Sequence, residues 1–148
     1  MGAKTEFSDR GVSVTGARLR AESIDLRHSP DLGPIAAVLG SYAEGETRIT
    51  GAARLRYKES DRLSAIASEL RSLGAEITKT RDGLLVRGST PLSGGSVNSH
   101  NDHRIAMALS VAALGARGEV VIEGAECVSK SYPDFFNDLR LLGVDVVE

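Results

Sequence analysis

The segment from Arg54 to Arg62 concentrates charged side chains that could bind and protonate an anionic substrate. It reads RLRYKESDR, so four basic residues lie beside Glu59 near the start of a predicted helix. Cations at a helix start oppose the helix dipole, whereas a phosphate or carboxylate ligand is attracted both by them and by the free N–H groups. Glu59 is therefore a candidate acid or base for such a ligand. The alternative is a solvated charged surface in which Glu59 pairs with Arg62 or Arg56.

Charged residues also lie at three other predicted helix starts. Asp31 lies in SPDLGP, while Asp102, His103 and Arg104 open an apolar helix within NDHR. Lys130 precedes the aromatic run SYPDFF. Each has a plain structural explanation: an N-cap, a satisfied histidine beside a surface arginine, and an aromatic anchor beside a lysine. Together they supply the acids and cations of one site, provided that the fold brings the helix starts together.

The elements that must position these residues repeat along the chain with a period of about 72 residues. The sequence from residue 73 to residue 88 resembles residues 1–16, and AEGETRITG at 43–51 matches ARGEVVIEG at 116–124. Each unit is predicted to be β-α-β-α-β-β, which gives an α/β (α+β) fold. The repeat makes Asp31 equivalent to Asp102, and Lys58 equivalent to Lys130. Because equivalent helix starts lie on the same side of a repeated fold, these residues are expected to converge.

The apolar spacing and the turn residues predict the elements of each unit. The predicted helices are 31–42, 60–73, 102–114 and 133–142, and the predicted strands are 21–26, 47–50, 76–80, 84–87, 95–99 and 119–122. Asp31, Ser60 and Asp102 are the predicted N-caps. We expect a repeat tail over 1–18, a full repeat over 19–90, and a second, incomplete repeat over 91–148 that ends on the first strand of its closing pair. Met1 fits the repeat as an internal residue as well as an initiator, so the chain is expected to be a fragment.

Composition limits the function. The chain has 148 residues, a formal net charge of −2, and hydrophobic and charged fractions of 41% and 26%, as in a globular protein without general affinity for nucleic acid. The single cysteine, Cys127, excludes an internal disulfide and a multi-cysteine zinc site, and it is expected to be a buried apolar residue. The most apolar stretch, 105–116, is too short to span a bilayer. These features predict a cytoplasmic protein that binds neither nucleic acid nor membrane.

Three motifs resemble the 5-enolpyruvylshikimate-3-phosphate synthase family. They are LRYKESDRL at 55–63, NDHRIAMA at 101–108 and KSYPDFF at 130–136. The resemblance runs nearly from end to end. It implies a fold of six β-α-β-α-β-β units in two three-unit domains, with the active site in the cleft between the domains. About two of the six units are present, so residues 1–148 are expected to be a partial C-terminal domain.

The resemblance implies transfer of the enolpyruvyl group of phosphoenolpyruvate to the 5-hydroxyl of shikimate 3-phosphate, with release of phosphate and without a metal or organic cofactor. In this family pattern Asp31 contacts the shikimate hydroxyls and accepts a proton, and Lys58 binds shikimate 3-phosphate. Glu59 matches the proton donor to the enolpyruvyl methylene. The residues that match those holding phosphoenolpyruvate are Arg62, Arg104 and Lys130. Asp102 and His103 match supporting positions beside them.

The sequence departs from the family at two points. Some members have an asparagine that touches the sugar phosphate where this chain has Arg54, and nothing here matches the phosphate-binding residues of the N-terminal domain. The chain alone is therefore expected to be inactive. Two alternatives stay open: a stand-alone phosphate- or carboxylate-binding module, and a sister transferase acting on a UDP-sugar, which KESDR and DHR disfavour. Family members are expected to be monomers, whereas unpaired strand edges would let this fragment self-associate.

Overall fold

A computed structural model describes residues 1–88 and 91–147. Strands and helices alternate along the chain, which confirms the predicted α/β class. The strands are β1 Lys4–Ser8, β2 Gly11–Thr15, β3 Ser23–Asp25, β4 Glu46–Thr50, β5 Glu76–Lys79, β6 Leu84–Arg87, β7 Ser93–Asn98 and β8 Arg117–Glu123. The helices are α1 Gly33–Tyr42, α2 Arg62–Ser72, α3 His103–Ala113 and α4 Phe135–Leu141. Short 3-10 turns cover Pro30–Leu32, Ala53–Tyr57 and Ala125–Lys130.

The strands form three sheets. One sheet has the order β3-β4-β6-β5, in which β3 and β4 are parallel and β6 is antiparallel to both of its neighbours. Asp82 and Gly83 lie in the turn from β5 to β6, as predicted. The sheets β1-β2 and β7-β8 each contain two strands, antiparallel in the first and parallel in the second. Within residues 1–88 and 91–147, β2 and β8 therefore each have one edge without a partner strand.

The core is formed by apolar faces of the helices packed against one another and against the sheets. Leu63, Ile66 and Leu70 of α2 are fully buried, which confirms the helical spacing of apolar residues in the sequence. Helices α1, α2 and α3 contact each other. The Tyr42 hydroxyl, at the end of α1, donates a 2.5 Å hydrogen bond to the Ala112 carbonyl in α3. This packing sets the relative positions of the segments that precede the three helices.

The second half of the chain repeats the element order of the first, since β7-α3-β8-α4 follows the pattern of β3-α1-β4-α2. The predicted closing strand after α4 is wrong, because residues 144–147 form no strand. A strand needs a partner for its backbone groups, and in the first half β6 provides that partner for β5. The described part of the second half contains no counterpart of β6. The division into a repeat tail, a full repeat and an incomplete repeat stays a prediction.

Two of the predicted N-caps are wrong. Asp31 lies in the 3-10 turn before α1 and makes no capping hydrogen bond, because α1 begins only at Gly33. Ser60 lies one residue before the true cap of α2, where the Asp61 carboxylate accepts from the Ser64 N–H at 3.1 Å. Both side chains are thereby left for contacts outside their own helices.

Cys127 is buried in a small apolar cluster with Ala106 and Val128, as expected. Helix α4 is shorter than predicted and begins at Phe135, within the usual uncertainty of helix ends. No described helix is both long and apolar enough to cross a membrane.

Candidate active site

Arg62 is the centre of the charged cluster. It is the first residue of α2, and its side chain is 1% exposed. The guanidinium donates from Nε to Asp102 at 2.7 Å, from Nη1 to Asp31 at 2.9 Å and from Nη2 to Glu59 at 2.6 Å. A further bond joins Nη2 to Asp102 at 3.1 Å. Four of its five N–H groups are thus engaged, and acids from three chain segments are held together.

Asp102 is fully buried and caps α3, as predicted. Its Oδ1 accepts from the Arg104 N–H at 3.0 Å, and its Oδ2 accepts from the Ser60 hydroxyl at 3.0 Å. Burial alone would raise the pKa of this carboxyl group, but the hydrogen bonds from Arg62, Arg104 and Ser60 hold the pKa below its usual value. Asp102 is therefore ionised at neutral pH, and it fixes the guanidinium of Arg62 in place.

Asp31 reaches the same arginine from the 3-10 turn that precedes α1. This turn lies close to the 3-10 turn before α2, and Gly33 permits the approach. A Cβ atom at Gly33 would lie 2.4 Å from Cδ1 of the buried Leu55, so one of these two non-bonded carbon atoms would have to shift. The glycine therefore allows the two turns to pack and brings Asp31 to the segment that carries Lys58 and Arg62.

Asp31 is surrounded by cations while remaining partly open to solvent. Its side chain is 38% exposed, and its Oδ1 lies 3.2 Å from Lys58 Nζ in addition to the contact with Arg62. Arg104 Nη2 lies 3.7 Å from its Oδ2. Partial burial raises the pKa of Asp31, but the Lys58 hydrogen bond and the charges of Arg104 and Arg62 lower it below the usual value. The result is an accessible, ionised carboxylate.

Glu59 is the most accessible of the three acids bound by Arg62. Its side chain is 47% exposed, compared with 38% for Asp31 and 0% for Asp102. It lies three residues before Arg62, in the segment just ahead of α2, and Arg62 is its ion-pair partner. Glu59 can therefore move away from Arg62 into solvent, while the buried guanidinium keeps its hydrogen bonds to Asp31 and Asp102.

Lys130 lies beside the cluster, at the end of the third 3-10 turn. Its ammonium group donates to Asn101, at 2.9 Å from the side-chain oxygen and 3.4 Å from the carbonyl oxygen. His100 and Asn101 have φ values of 53° and 55°, a left-handed conformation that asparagine and histidine tolerate better than most residues. Since Asn101 directly precedes Asp102, this turned loop ties the lysine to the start of α3.

His103 and Arg54 lie near the cluster in sequence but make no polar contact with it. His103 lies half-buried in the first turn of α3, and its ring makes no hydrogen bond within residues 1–88 and 91–147. Arg54 is exposed and likewise has no polar partner within residues 1–88 and 91–147. Between the starts of α1 and α3 lies a small open cleft of about 140 Å³, whose lining includes Asp31 and Arg104 together with apolar side chains.

The structure brings together six of the eight side chains predicted for the site in one hydrogen-bonded and ion-paired cluster. These six are Asp31, Lys58, Glu59, Arg62, Asp102 and Arg104. Lys130 is joined through Asn101, and His103 lies in the adjacent helical turn. Sequence reasoning missed Ser60 and Asn101 as contacts of the site. Their places inside the KESDR and NDHR motifs were the available signal, but a motif position does not reveal which partner a side chain binds.

The cluster has the charge balance of an anion site. It contains four cations, counting Lys130, against three carboxylates. The surplus positive charge favours a phosphate or carboxylate ligand, and two of the carboxylates beside these cations, Asp31 and Glu59, are partly exposed. Within residues 1–88 and 91–147, no three His, Cys, Asp or Glu side chains are placed so that they could hold a metal ion. The arrangement can therefore combine anion binding with proton transfer by carboxyl groups.

The class of protein follows from the fold and this cluster. A solved structure of EPSP synthase from Acinetobacter baumannii matches 95% of this chain with a TM-score of 0.83 and 31% identity, over 35% of that chain. The enolpyruvyl transferase NikO from Streptomyces tendae matches 98% with a TM-score of 0.79 and 29% identity, over 33% of its chain. This is the fold of enolpyruvyl transferases.

The family is shown by the sequence as a whole. The family model of EPSP synthase (3-phosphoshikimate 1-carboxyvinyltransferase) matches residues 1–139. The 3-phosphoshikimate 1-carboxyvinyltransferase of Clostridium acetobutylicum is 58% identical over 125 residues, which are 84% of this chain and 29% of that protein. The Clostridium kluyveri enzyme of the same name is 47% identical over all 148 residues of this chain, which cover 35% of that protein. The chain belongs to the EPSP synthase family, as the motifs predicted, and spans about a third of the length of these relatives.

Proposed function

We propose that this chain is the part of a 3-phosphoshikimate 1-carboxyvinyltransferase that supplies its acid–base groups and half of its anion site. The observation that carries this proposal is the convergence of Asp31, Glu59 and Asp102 on the buried Arg62. The reaction needs cations for a phosphate and a carboxylate, a base for a hydroxyl nucleophile and an acid for a carbon atom. Asp102 and His103 have supporting roles, and no cofactor takes part.

The proposed reaction transfers the enolpyruvyl group of phosphoenolpyruvate to the 5-hydroxyl of shikimate 3-phosphate. A bond forms between the hydroxyl oxygen and the carbon that carries the phosphate, the bond from that carbon to the phosphate oxygen breaks, and phosphate leaves. Asp31 accepts the hydroxyl proton, and Glu59 gives a proton to the methylene carbon. As phosphate departs, the methyl carbon returns one proton to the Glu59 carboxylate and becomes a methylene group again. The leaving phosphate takes the proton held by Asp31, so both carboxyl groups end as they began and the protons balance.

The cations divide between the two substrates in the proposed complex. Lys58 binds shikimate 3-phosphate, and phosphoenolpyruvate is held by Arg62, Arg104 and Lys130. Arg62 has one N–H left beyond those given to the carboxylates, so a substrate carboxylate that binds it with two bonds must replace one acid. Glu59 is the most exposed of the three and is the acid that moves. Its release from the arginine leaves it available as the proton donor.

The other half of the cleft is proposed to come from the N-terminal domain of the longer protein. Phosphoenolpyruvate and shikimate 3-phosphate together carry more negative charge than this cluster neutralises, and further cations must face it across the cleft. The 148-residue chain alone is therefore expected to release no phosphate from the two substrates. The cytoplasmic location and the absence of nucleic-acid and membrane partners stay predictions from the sequence.

The test is a chimera in which this chain replaces the matching third of the Clostridium kluyveri relative, which aligns over all 148 residues. We expect phosphate release that requires both phosphoenolpyruvate and shikimate 3-phosphate. Glu59→Gln in the chimera should reduce kcat about 100-fold or more, because the proton donor is lost. Glu22→Gln, a substitution of an exposed glutamate outside the site, is the matched control and should leave kcat unchanged.

The alternatives give different results in the same assay. A stand-alone anion-binding module would bind phosphate but give a folded chimera without turnover. A sister transferase would transfer the enolpyruvyl group to a UDP-sugar and not to shikimate 3-phosphate. Either result contradicts the proposed reaction.

A further inference from the structure

The loop over residues 98–102 leads into α3 and has an unusual backbone. His100 and Asn101 have φ values of 53° and 55°, and they are the only residues other than glycine with a positive φ in the ranges 1–88 and 91–147. Such a left-handed conformation costs free energy in a residue with a side chain, and it persists only where surrounding contacts hold it. Two of these residues in succession therefore indicate that other parts of the molecule enforce the shape of this loop.

Glu69 of α2 holds the beginning of this loop. Its side chain is 12% exposed, and each of its two carboxylate oxygens has a partner in the loop. Oε2 accepts a hydrogen bond from the Asn98 N–H at 2.9 Å, and Oε1 lies 2.8 Å from His100 Nε2. The Asn98 side-chain oxygen in turn accepts from the His100 N–H at 2.7 Å. Glu69 thus fixes both the last residue of β7 and the first of the two left-handed residues.

Helix α2 holds the end of the loop as well. Arg62 and Glu69 are seven residues apart, which places them on one face of the helix and about 10 Å from each other along its axis. Arg62 binds Asp102 at the end of the loop, whereas Glu69 binds the residues at its beginning. Asn101 therefore lies between two points that the same helix face fixes.

Asn101 connects this loop to Lys130. The ammonium group of Lys130 donates to the Asn101 side-chain oxygen at 2.9 Å and to the Asn101 carbonyl oxygen at 3.4 Å. Both acceptors belong to a residue in the left-handed conformation, so their directions would change if the loop adopted ordinary backbone angles. The position of the ammonium group therefore depends on the contacts that hold the loop.

We infer that Glu69 and His100 form a positioning pair that sets the place of Lys130 and thereby the affinity for phosphoenolpyruvate. The identity of the ligand rests on the proposed function, whereas the link from Glu69 to Lys130 rests on the contacts of the loop. Glu69 transfers no proton to the substrates, since both of its oxygens are bonded to the loop. Without the pair, Asn101 can adopt ordinary backbone angles, and its two acceptors turn away from the lysine.

The kinetics of the chimera with the Clostridium kluyveri relative test this role. Glu69→Ala removes both contacts to the loop and should raise the KM for phosphoenolpyruvate about tenfold, while the KM for shikimate 3-phosphate stays within about twofold. A merely structural loss would lower the amount of folded enzyme and leave both KM values unchanged. Ser68→Ala, at the exposed neighbouring position of α2, is the matched control and should change neither KM.

Three further variants test the contact itself. Glu69→Gln keeps an oxygen for the Asn98 N–H and an amide group for the His100 ring, so its KM for phosphoenolpyruvate should stay within about threefold of the unsubstituted chimera. His100→Asn tolerates the left-handed conformation but is too short to reach Glu69, and it should raise this KM about threefold or more. Since His100 is 39% exposed, this variant is expected to fold. Glu69→Ala combined with His100→Asn should raise the KM no further than Glu69→Ala alone, because the two side chains form one contact.

Hydrogen exchange of residues 98–102 in the same chimeras provides a measurement that does not depend on turnover. The amides of this loop should exchange about tenfold faster in Glu69→Ala than in Ser68→Ala, because the loop has lost its partner on α2. Unchanged exchange, or an unchanged KM for phosphoenolpyruvate in a Glu69→Ala chimera that turns over, overturns the positioning role and leaves the proposed function intact. A folded, unsubstituted chimera that does not turn over the two substrates would contradict both.

Discussion

Asp31 and Asp102 hold equivalent positions in the repeated sequence and bind the same arginine, yet their surroundings differ. Asp102 is fully buried, caps α3 and accepts hydrogen bonds from Ser60 and the Arg104 N–H as well as from Arg62. Asp31 has a side chain that is 38% exposed, caps no helix and shares its charge among Lys58, Arg62 and Arg104.

The difference arises where each helix begins. Helix α3 begins directly after Asp102, so that the carboxylate faces the free N–H groups of the first turn. Helix α1 begins two residues after Asp31, and the intervening 3-10 turn carries the carboxylate away from the cap position. One acid is therefore committed to holding Arg62, while the other is available to a ligand. A repeated sequence can thus yield one positioning residue and one candidate catalytic residue.

Removing the shared arginine should have the largest effect, because both aspartates depend on it. Arg62→Met leaves Asp102 buried without its countercharge, and the free energy of unfolding should fall by about 4 kcal/mol in a urea titration of the 148-residue chain. Arg71→Met, on the exposed side of the same helix, is the matched control and should cost about 1 kcal/mol or less. Similar losses for the two variants would show that the cluster does not stabilise the fold.

The two aspartates should contribute different amounts to the free energy of unfolding. Asp102→Asn keeps a good helix cap but leaves the buried Arg62 without its main partner, so unfolding should become easier by about 3 kcal/mol. Thermal and urea unfolding of the same variant should agree in direction. A loss no larger than that of an exposed aspartate would contradict the assignment of Asp102 as the residue that fixes the arginine.

The dependence of stability on pH should also distinguish Asp31 from Asp102. Both pKa values are lowered in the folded chain, so the folded state binds fewer protons than the unfolded state and stability falls as pH falls. This contribution is fully present above the unfolded-state pKa of about 3.9 and is lost as pH falls through the lower folded-state values. Because the buried Asp102 accepts four hydrogen bonds and Asp31 is partly exposed, Asp102→Asn should flatten the decrease in unfolding free energy below about pH 4 more than Asp31→Asn does. The reverse order of slopes would count against the comparison.

Asp31→Asn should have the smallest effect on the fold. The carboxylate is partly exposed, Lys58 and Arg104 can be solvated, and the buried Arg62 keeps its bonds to Asp102 and Glu59, so the loss should stay below about 1 kcal/mol. Asp25→Asn, which alters an exposed aspartate paired with Arg27, is the matched control and should behave similarly in urea unfolding. If Asp31→Asn destabilises the chain as much as Asp102→Asn, the distinction between a buried structural aspartate and an accessible one is wrong.

Much of this arrangement could be predicted from the sequence because it depends on periodic features. The spacing of Leu63, Ile66 and Leu70 defines a buried helix face, and the internal repeat predicted that the helix starts would converge. The cap at Asp102 followed from the apolar helix directly behind it. The family followed from motifs that are specific in both residue type and order.

Other features depend on contacts between segments distant in sequence and could not be predicted in this way. A shift of one residue decides whether Ser60 or Asp61 caps α2, and local preference does not distinguish them. The burial of Arg62 depends on three carboxylates from different segments. The strand predicted after α4 failed because its pattern was correct while its partner strand was missing from the described residues.

The central claim is tested most directly by kcat in the chimera with the Clostridium kluyveri relative. Asp31→Asn should reduce phosphoenolpyruvate-dependent phosphate release by about 10²- to 10⁴-fold while the unfolding midpoint stays nearly unchanged, because the substitution removes the proposed proton acceptor and keeps the fold. A folded Asp31→Asn chimera that keeps its kcat within about threefold of the unsubstituted chimera would contradict the account.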